Sequence, residues 1–340
     1  MTYRKLGRTG VRVSPLTLGT MNFGSYGNAD HDDSIRIIRH ALDAGINIID
    51  TADAYSQGES EVIVGKALQG RRDDVIVASK FHVPFGDGIN TRGSSRRWIF
   101  QAVENSLRRL QLDHLDLYQA HKPDPDVELA ETLGALDDLV RQGKIRYYGT
   151  TTYEPHLLVE AQWVAQRDSL RRPVTEQAPY SILARGAERA TLPVAQKHGL
   201  GVLTWSPLAG GWLSGRHRAG SEAPTSRRAE KMPARHDPDQ EDNRRKRDIA
   251  VKLDALATEA GISVAQLAVA FALNHPAVSS VIIGPRTLEQ FTSVLPAADV
   301  ALSSDLLDAI DDLVPAGVTV NRADEGWEPP WLADPTDRRR

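Results

Sequence analysis

The chain contains no cysteine in its 340 residues. Disulfide staples, thiolate nucleophiles and cysteine-held metals are excluded, and a reducing, cytoplasmic setting fits best. No run approaches ~18 consecutive apolar residues, so no membrane span is expected. The first residues, M-T-Y-R-K-L-G, lack the apolar core of a secretory signal. An excess of charge of one sign is also missing. Lys and Arg number 41 against 45 Asp and Glu, a net charge of -4, which argues against nucleic acid or an anionic membrane as a partner. The histidines show neither H-E-x-x-H nor a paired metal spacing, so no metal is expected. G-x-S-x-G, the elbow of a serine hydrolase, is absent too. What is present is a hydrophobic content of 41%, enough for a sizeable core in a single domain over residues 1–340. None of these features fixes an oligomeric state.

A rhythm runs along the chain. After a short hairpin (Tyr3 to Leu6, a turn at Arg8-Thr9-Gly10, Val11 to Val13), eight brief apolar runs recur. They span 16–19, 46–50, 75–79, 115–119, 145–150, 174–177, 201–204 and 281–283. They are rich in β-branched residues and leucine without clean alternation, as strands buried on both faces should be. Between them, helical periodicity covers 32–44, 97–110, 128–142, 152–166, 192–198, 263–274 and 288–295. Gly45, Gly143 and Gly199 stand at helix C-terminal positions, and Pro155 suits a first turn. Strands alternating with helices predict an α/β protein, most simply a closed (β/α)8 TIM barrel. An open doubly wound sheet is the competing architecture, but the first run leads into G-T-M-N-F-G rather than G-x-G-x-x-G. Two stretches break the rhythm: a polar loop over 216–248 after the seventh strand, suited to a lid, and a tail over 321–340. The tail's Trp327 and Trp331 invite docking, and disorder is expected at Arg338 to Arg340. The R-R-K-R run at 244–247, flanked by acids, reads as a solvated helix start.

The strand ends carry the chemistry. Asp50 ends the second run, Lys80 lies just past the third and His121 follows the fourth, while Tyr55 lies five residues beyond Asp50. In a barrel these ends share one face, with neighbouring strands ~5 Å apart. A phenol with a pKa of ~10 is a poor acid at neutral pH. A nearby Lys80 ammonium is expected to favour the phenolate and lower that pKa, with Asp50 orienting the lysine. His121 would hydrogen-bond the substrate oxygen. Singly, each group also fits an ordinary role in packing, capping or solvation. Together they form a proton donor for a carbonyl oxygen, an effect typically worth ~10²–10⁴ in rate.

The segment G-I-N-I-I-D-T-A-D-A-Y with Gly58, Glu59, Ser60 and Glu61, plus Lys80 and His121, resembles the aldo-keto reductase superfamily from about Tyr3 to Leu313. W-S-P-L-A and the G-x-R pocket resemble its branch related to potassium-channel beta subunits. The resemblance implies a nicotinamide cofactor bound without a Rossmann domain, and Asp50, Tyr55, Lys80 and His121 as the catalytic set. Residue by residue it places Thr20, Met21 and Asp50 beside the nicotinamide ribose, Thr151 and Gln177 at the carboxamide and Trp205 against the ring. Ser206, Pro207, Leu208 and Gly210 match the pyrophosphate loop, with Arg216 near the phosphates. Gly284, Arg286 and Gln290 match the adenosine pocket at the head of the last helix, where backbone N–H groups favour phosphate. An arginine there can pair with a 2′-phosphate, so NADPH is expected ahead of NADH. Two departures stand out. Thr151-Thr152 replaces the usual Ser-Asn, and Ser293 and Val294 replace Glu and Asn beside the adenine.

The expected activity is reversible reduction of a small-molecule aldehyde or ketone by NADPH, with Tyr55 as general acid. Phe23, Tyr55, Phe81 and His121 are the candidate substrate contacts, with Met21 and Trp205 completing the wall and Tyr26 and the tail tryptophans beyond it. Two alternatives accompany this expectation. One is a deoxysugar or sugar-ketone reductase, or a sugar dehydrogenase. The other, of a different class, is a cofactor-sensing regulatory subunit.

Overall fold

The computed structural model describes residues 1–217, 232–333, 335–337 and 339. Two strands, β1 (Arg4–Lys5) and β2 (Arg12–Val13), form an antiparallel hairpin. Eight more follow: β3 (Leu16–Gly19), β4 (Ile48–Asp50), β5 (Ile76–Phe81), β6 (Leu115–Ala120), β7 (Ile145–Thr151), β8 (Thr175–Pro179), β9 (Gly201–Trp205) and β10 (Val278–Ile283). They pair in parallel and in sequence order, and β10 returns to β3, so the sheet is a closed barrel. Each strand matches one of the eight apolar runs to within a few residues, and the barrel has no free edge left to protect.

Strand alternation decides what lies inside. Ile48, Ala78, Leu117 and Leu203 face inward and join Leu6 and Val13 of the hairpin in one apolar layer. The hairpin thus plugs the N-terminal mouth of the barrel. Its turn needs Gly7, at φ +56°, because a Cβ there would sit 2.6 Å from the Gly199 carbonyl oxygen. Two residues further along each strand the same inward face recurs. Asp50, Lys80, Gln119 and Trp205 therefore form the next layer toward the strand C-termini, and Gln177 joins them from β8.

The outer core lies between strands and helices. Helix Arg96–Leu110 buries Trp98, Ile99, Val103 and Leu107 and is capped by the Ser95 side chain. Pro155 opens helix Pro155–Arg167 at its first turn, as its fixed φ allows.

Four helices differ from the sequence expectation. Glu59–Ala67 is helical although its inward face carries Ser60, Glu61 and Gly65. Gly65 is needed there, since a Cβ would press to 2.7 Å from the Leu110 carbonyl carbon of the neighbouring helix. Ser304–Leu313, capped by Ser303, is a further helix that the periodicity did not mark. The stretch 216–248 is not a loop throughout. Pro233–His236 and Glu241–Glu259 are helical, while 218–231 lies outside the described residues, as do 338 and 340 of the basic C-terminal end. No single helix among the described residues is long and apolar enough to cross a membrane.

Candidate active site

Asp50 and Lys80 meet at the C-terminal rim because β4 and β5 are neighbours. The Lys80 ammonium is fully buried and spends its three protons within the site. It donates to Asp50 Oδ2 at 2.6 Å, to the Thr51 carbonyl at 2.8 Å and to the Tyr55 hydroxyl at 3.1 Å. Asp50 Oδ1 accepts from Gln177 Nε2 at 2.9 Å, so both of its oxygens are held. Tyr55 stands at the start of a tight turn in which Ser56, Gln57 and Gly58 all have positive φ. Ser56 pins that turn by donating to the Phe23 carbonyl and accepting from the Tyr26 amide. Strained backbone of this kind persists only where its surroundings impose it.

The Tyr55 phenol departs from expectation. Its pKa is raised, with burial as the largest cause and Asp50 adding to it, while Lys80 opposes. Lysine alone would lower it; the desolvated pocket and the Asp50 carboxylate win. Tyr55 is therefore a protonated phenol through the neutral range, held ready as a donor. Burial lowers the Lys80 pKa, but Asp50 and Tyr55 outweigh it and the net shift is upward. The ammonium stays charged.

His121 joins from the end of β6. Its amide donates to the Phe81 carbonyl at 3.0 Å, and its carbonyl accepts from the Thr151 hydroxyl. The ring meets Tyr55 edge-on, with centroids 5.8 Å apart. Its pKa lies well below the usual histidine range, first through desolvation and then through Lys80, Lys122 and His82. The imidazole is neutral at neutral pH. Its Nδ1 is buried without a hydrogen-bond partner among the described residues, so a proton on Nε2 avoids stranding a donor.

The residues expected at a cofactor occupy the same rim. Thr20 is buried, with its hydroxyl on the Asp50 carbonyl and accepting from Ser60; Met21 is partly exposed. Thr151 is buried, and Thr152 is in the left-handed region at φ +55°. Trp205 is partly exposed and Pro207 buried. Ser206, Ala209, Gly210 and Gly211 have positive φ, folding 206–211 into a compact turn. Ser206 Oγ accepts from the Gly210 amide at 3.0 Å, and the Leu208 carbonyl accepts from Gly211. Arg216, Gly284, Arg286 and Gln290 are exposed, and Gln290 Oε1 accepts from the Arg286 amide. The helix at this pocket is short, Leu288–Val294, and is capped by Thr287. This donor set fits a dinucleotide. Tyr55, His121, Arg216 and Arg286 carry donor groups, and the buried Gln119 Nε2 has no partner among the described residues. An acceptor-rich ligand supplies what such a rim lacks.

The expected substrate wall is only partly in place. Phe23 and Phe81 have no exposed surface. Phe23 packs in the core, and Phe81 leans on Tyr118 with centroids 5.0 Å apart. In this conformation they support the site from behind. Tyr55, His121, Met21, Tyr26 and Trp205 keep partial exposure. Trp327 meets Trp331 edge-on in the tail.

Two groups near the site escaped the sequence reading. Asp53 is 1% exposed, and neither carboxylate oxygen makes a full hydrogen bond among the described residues. Its pKa is pushed up to about 8 by burial and then by Glu61, against Arg109, the Ala54 amide and Lys80. Glu61, also buried, is held by Ser79 at 2.5 Å and Arg109 at 2.7 Å. Asp53 lies past the end of β4, so strand alternation does not mark the face it takes. The second group is the Asp324 cluster described below.

The closed parallel barrel carries a lysine-bonded phenol at its C-terminal rim. Residues 15–315 match the aldo/keto reductase family. The chain is 39% identical over 327 residues to "Uncharacterized oxidoreductase YrpG" of Bacillus subtilis (strain 168), covering 93% of this chain and 96% of that one. It is 35% identical over 325 residues to a "Probable voltage-gated potassium channel subunit beta" of Oryza sativa subsp. japonica, covering 92% and 97%. A protein of the same description in Arabidopsis thaliana is 33% identical over 328 residues, covering 92% and 97%. The chain belongs to the aldo/keto reductase family, a family of oxidoreductases.

Proposed function

We propose that this protein reduces aldehydes or ketones to alcohols using NADPH, with NADH as a weaker substitute. One observation carries the reading: a single buried ammonium bonds both the Asp50 carboxylate and the Tyr55 hydroxyl. The substrate oxygen accepts the Tyr55 proton as negative charge develops on it. Lys80 stabilises the phenolate left behind, and Asp50 keeps the lysine charged and aimed. His121, neutral, offers a second donor to the same oxygen, so the developing charge is spread over two prearranged groups. The side chains supply no reducing equivalents, since the chain has no cysteine; a bound reduced nicotinamide would supply the hydride. Thr20, Met21, Asp50, Thr151, Gln177 and Trp205 would hold its nicotinamide end, 206–210 and Arg216 its phosphates, and Gly284, Arg286 and Gln290 its adenosine end. Arg286 is the residue for a 2′-phosphate, and Arg286→Ala should raise the KM for NADPH about tenfold while sparing NADH.

The test is NADPH oxidation in the presence of aromatic and aliphatic aldehydes, ketones and sugars. Tyr55→Phe should lower turnover by ~10²–10⁴ with the fold retained; unchanged turnover would remove Tyr55 from the chemistry. Within the same panel, turnover confined to sugars would favour the sugar-ketone reductase or sugar dehydrogenase reading. The likeness to proteins described as potassium-channel beta subunits favours a second reading, a cofactor-sensing subunit. Tight NADP⁺ binding with no turnover of any carbonyl would select it.

A further inference from the structure

Within the basic run at 244–247, Lys246 is fully buried. Its ammonium donates to Asp324 Oδ2 at 2.8 Å and to the Arg235 carbonyl at 2.9 Å. Asp324, 2% exposed, takes Arg235 Nε on its other oxygen at 2.6 Å. Three elements meet at this carboxylate: helix Pro233–His236, helix Glu241–Glu259 and the tail turn Arg322–Asp324. Asn321 ties the same elements, donating to the Ala234 carbonyl at 2.9 Å and to Asn243 Oδ1 at 2.7 Å.

The cluster touches both ends of the site. Two residues past Asp324, Gly326 lies on the edge of the Trp205 ring. A Cβ there would be 2.8 Å from Trp205 Cζ2 and 3.1 Å from Thr152 Cγ2, and its φ of +92° suits glycine alone. On the other side, helix Pro233–His236 covers the 206–211 turn. A Cβ at Gly210 would be 3.2 Å from the His236 ring and 3.6 Å from Arg235 Nη2.

We infer that Asp324 is a positioning residue that couples the two ends of the site. Through Gly326 it seats the tail on Trp205, and through Arg235 and Lys246 it holds helix Pro233–His236 against the 206–211 turn. One carboxylate bonds two cations here. Its loss leaves a buried ammonium facing a guanidinium, and the cheapest relief is for tail and helix to part together. A dinucleotide lying between Trp205 and the turn would leave only when both release. This last step rests on the cofactor reading above; the coupling of the two segments does not.

The experiment is hydrogen exchange on the full chain, with and without NADP⁺, paired with a tryptophan-fluorescence titration of NADP⁺. Two variants probe it from opposite ends. Asp324→Asn keeps the shape and removes the charge. Gly326→Ala pushes the tail off Trp205 without removing any partner of the ion pairs, so it also serves if Asp324→Asn fails to fold. In either variant residues 319–327 and 233–246 should exchange faster together, and the dissociation constant for NADP⁺ should rise roughly tenfold. If Gly326→Ala frees the tail while 233–246 exchanges as in the parent, the coupling is wrong. It is equally wrong if Asp324→Asn leaves both segments protected. If the parent binds no NADP⁺, the cofactor reading falls, while the joint or separate exchange of the two segments still decides the coupling.

Discussion

Replacing Asp53 by asparagine should stabilise the protein, and by an amount that depends on pH. Asp53 is buried, makes no full hydrogen bond among the described residues and lies near Glu61, so the folded state favours its neutral form. Its pKa in the fold is about 8 against an ordinary 3.8. Below 3.8 both folded and unfolded chains carry the proton, and nothing is lost. As pH rises from there to about 8 the unfolded chain ionises while the folded one keeps its proton, so stability falls throughout that window. Above it both are ionised and the penalty is constant. At ~1.4 kcal/mol per pH unit the ceiling is about 6 kcal/mol. Water penetration and relaxation around a buried charge should leave about half, roughly 3 kcal/mol. Asparagine mimics the neutral acid and escapes the penalty. Urea unfolding of parent and Asp53→Asn at pH 5, 6.5 and 8 measures the difference, which should be small at pH 5 and largest at pH 8. A difference that does not change with pH, or a variant less stable than the parent at pH 8, would refute the assignment of a neutral Asp53.

Lys80→Met leaves Asp50 buried without a cation and should cost about 3–5 kcal/mol in thermal or urea unfolding; adding Asp50→Asn should recover much of it. Because His121 is neutral well below the usual histidine range, kcat/KM should show no histidine limb between about pH 6 and 7.5, where an ordinary imidazole titrates. A limb in that range that His121→Asn removes would contradict this. Gly65→Ala drives a Cβ into backbone that cannot swing aside, so unfolding should show a loss of about 1–3 kcal/mol.

The barrel was readable because its strands are buried on both faces, and short apolar runs between periodic helices admit few other folds. Pairing order and closure follow from the repeat. Among the helices that escaped is one whose inward face is partly polar. Glu59–Ala67 buries Ser60, Glu61 and Gly65 beside Ile63, Val64 and Ala67, so its apolar stripe is interrupted, and its Glu61 is satisfied by Ser79 and Arg109 from two other elements. Helix Glu241–Glu259 begins in charge, and hydropathy cannot tell the buried Lys246 from Arg244 and Arg245 beside it. The difference lies in Asp324, 78 residues away. The four rim residues could be gathered from strand ends alone, but the sign of the Tyr55 shift could not. It depends on how completely the pocket is desolvated, a property of three-dimensional packing.

The bond between Asp50 and Gln177 reaches further than its 2.9 Å. In a ring of eight strands β4 and β8 stand on opposite sides, so this hydrogen bond is a strut across the diameter. Asp50 grips the adjacent strand through Lys80 and the far wall through Gln177. A half-built barrel, ending before β8, would offer Asp50 its lysine and no brace, and the phenol above it would lack a fixed height. The site therefore depends on closure of the ring: a chain that has joined both arcs can complete the Gln177–Asp50–Lys80–Tyr55 series of bonds, and a chain that has not lacks its far anchor.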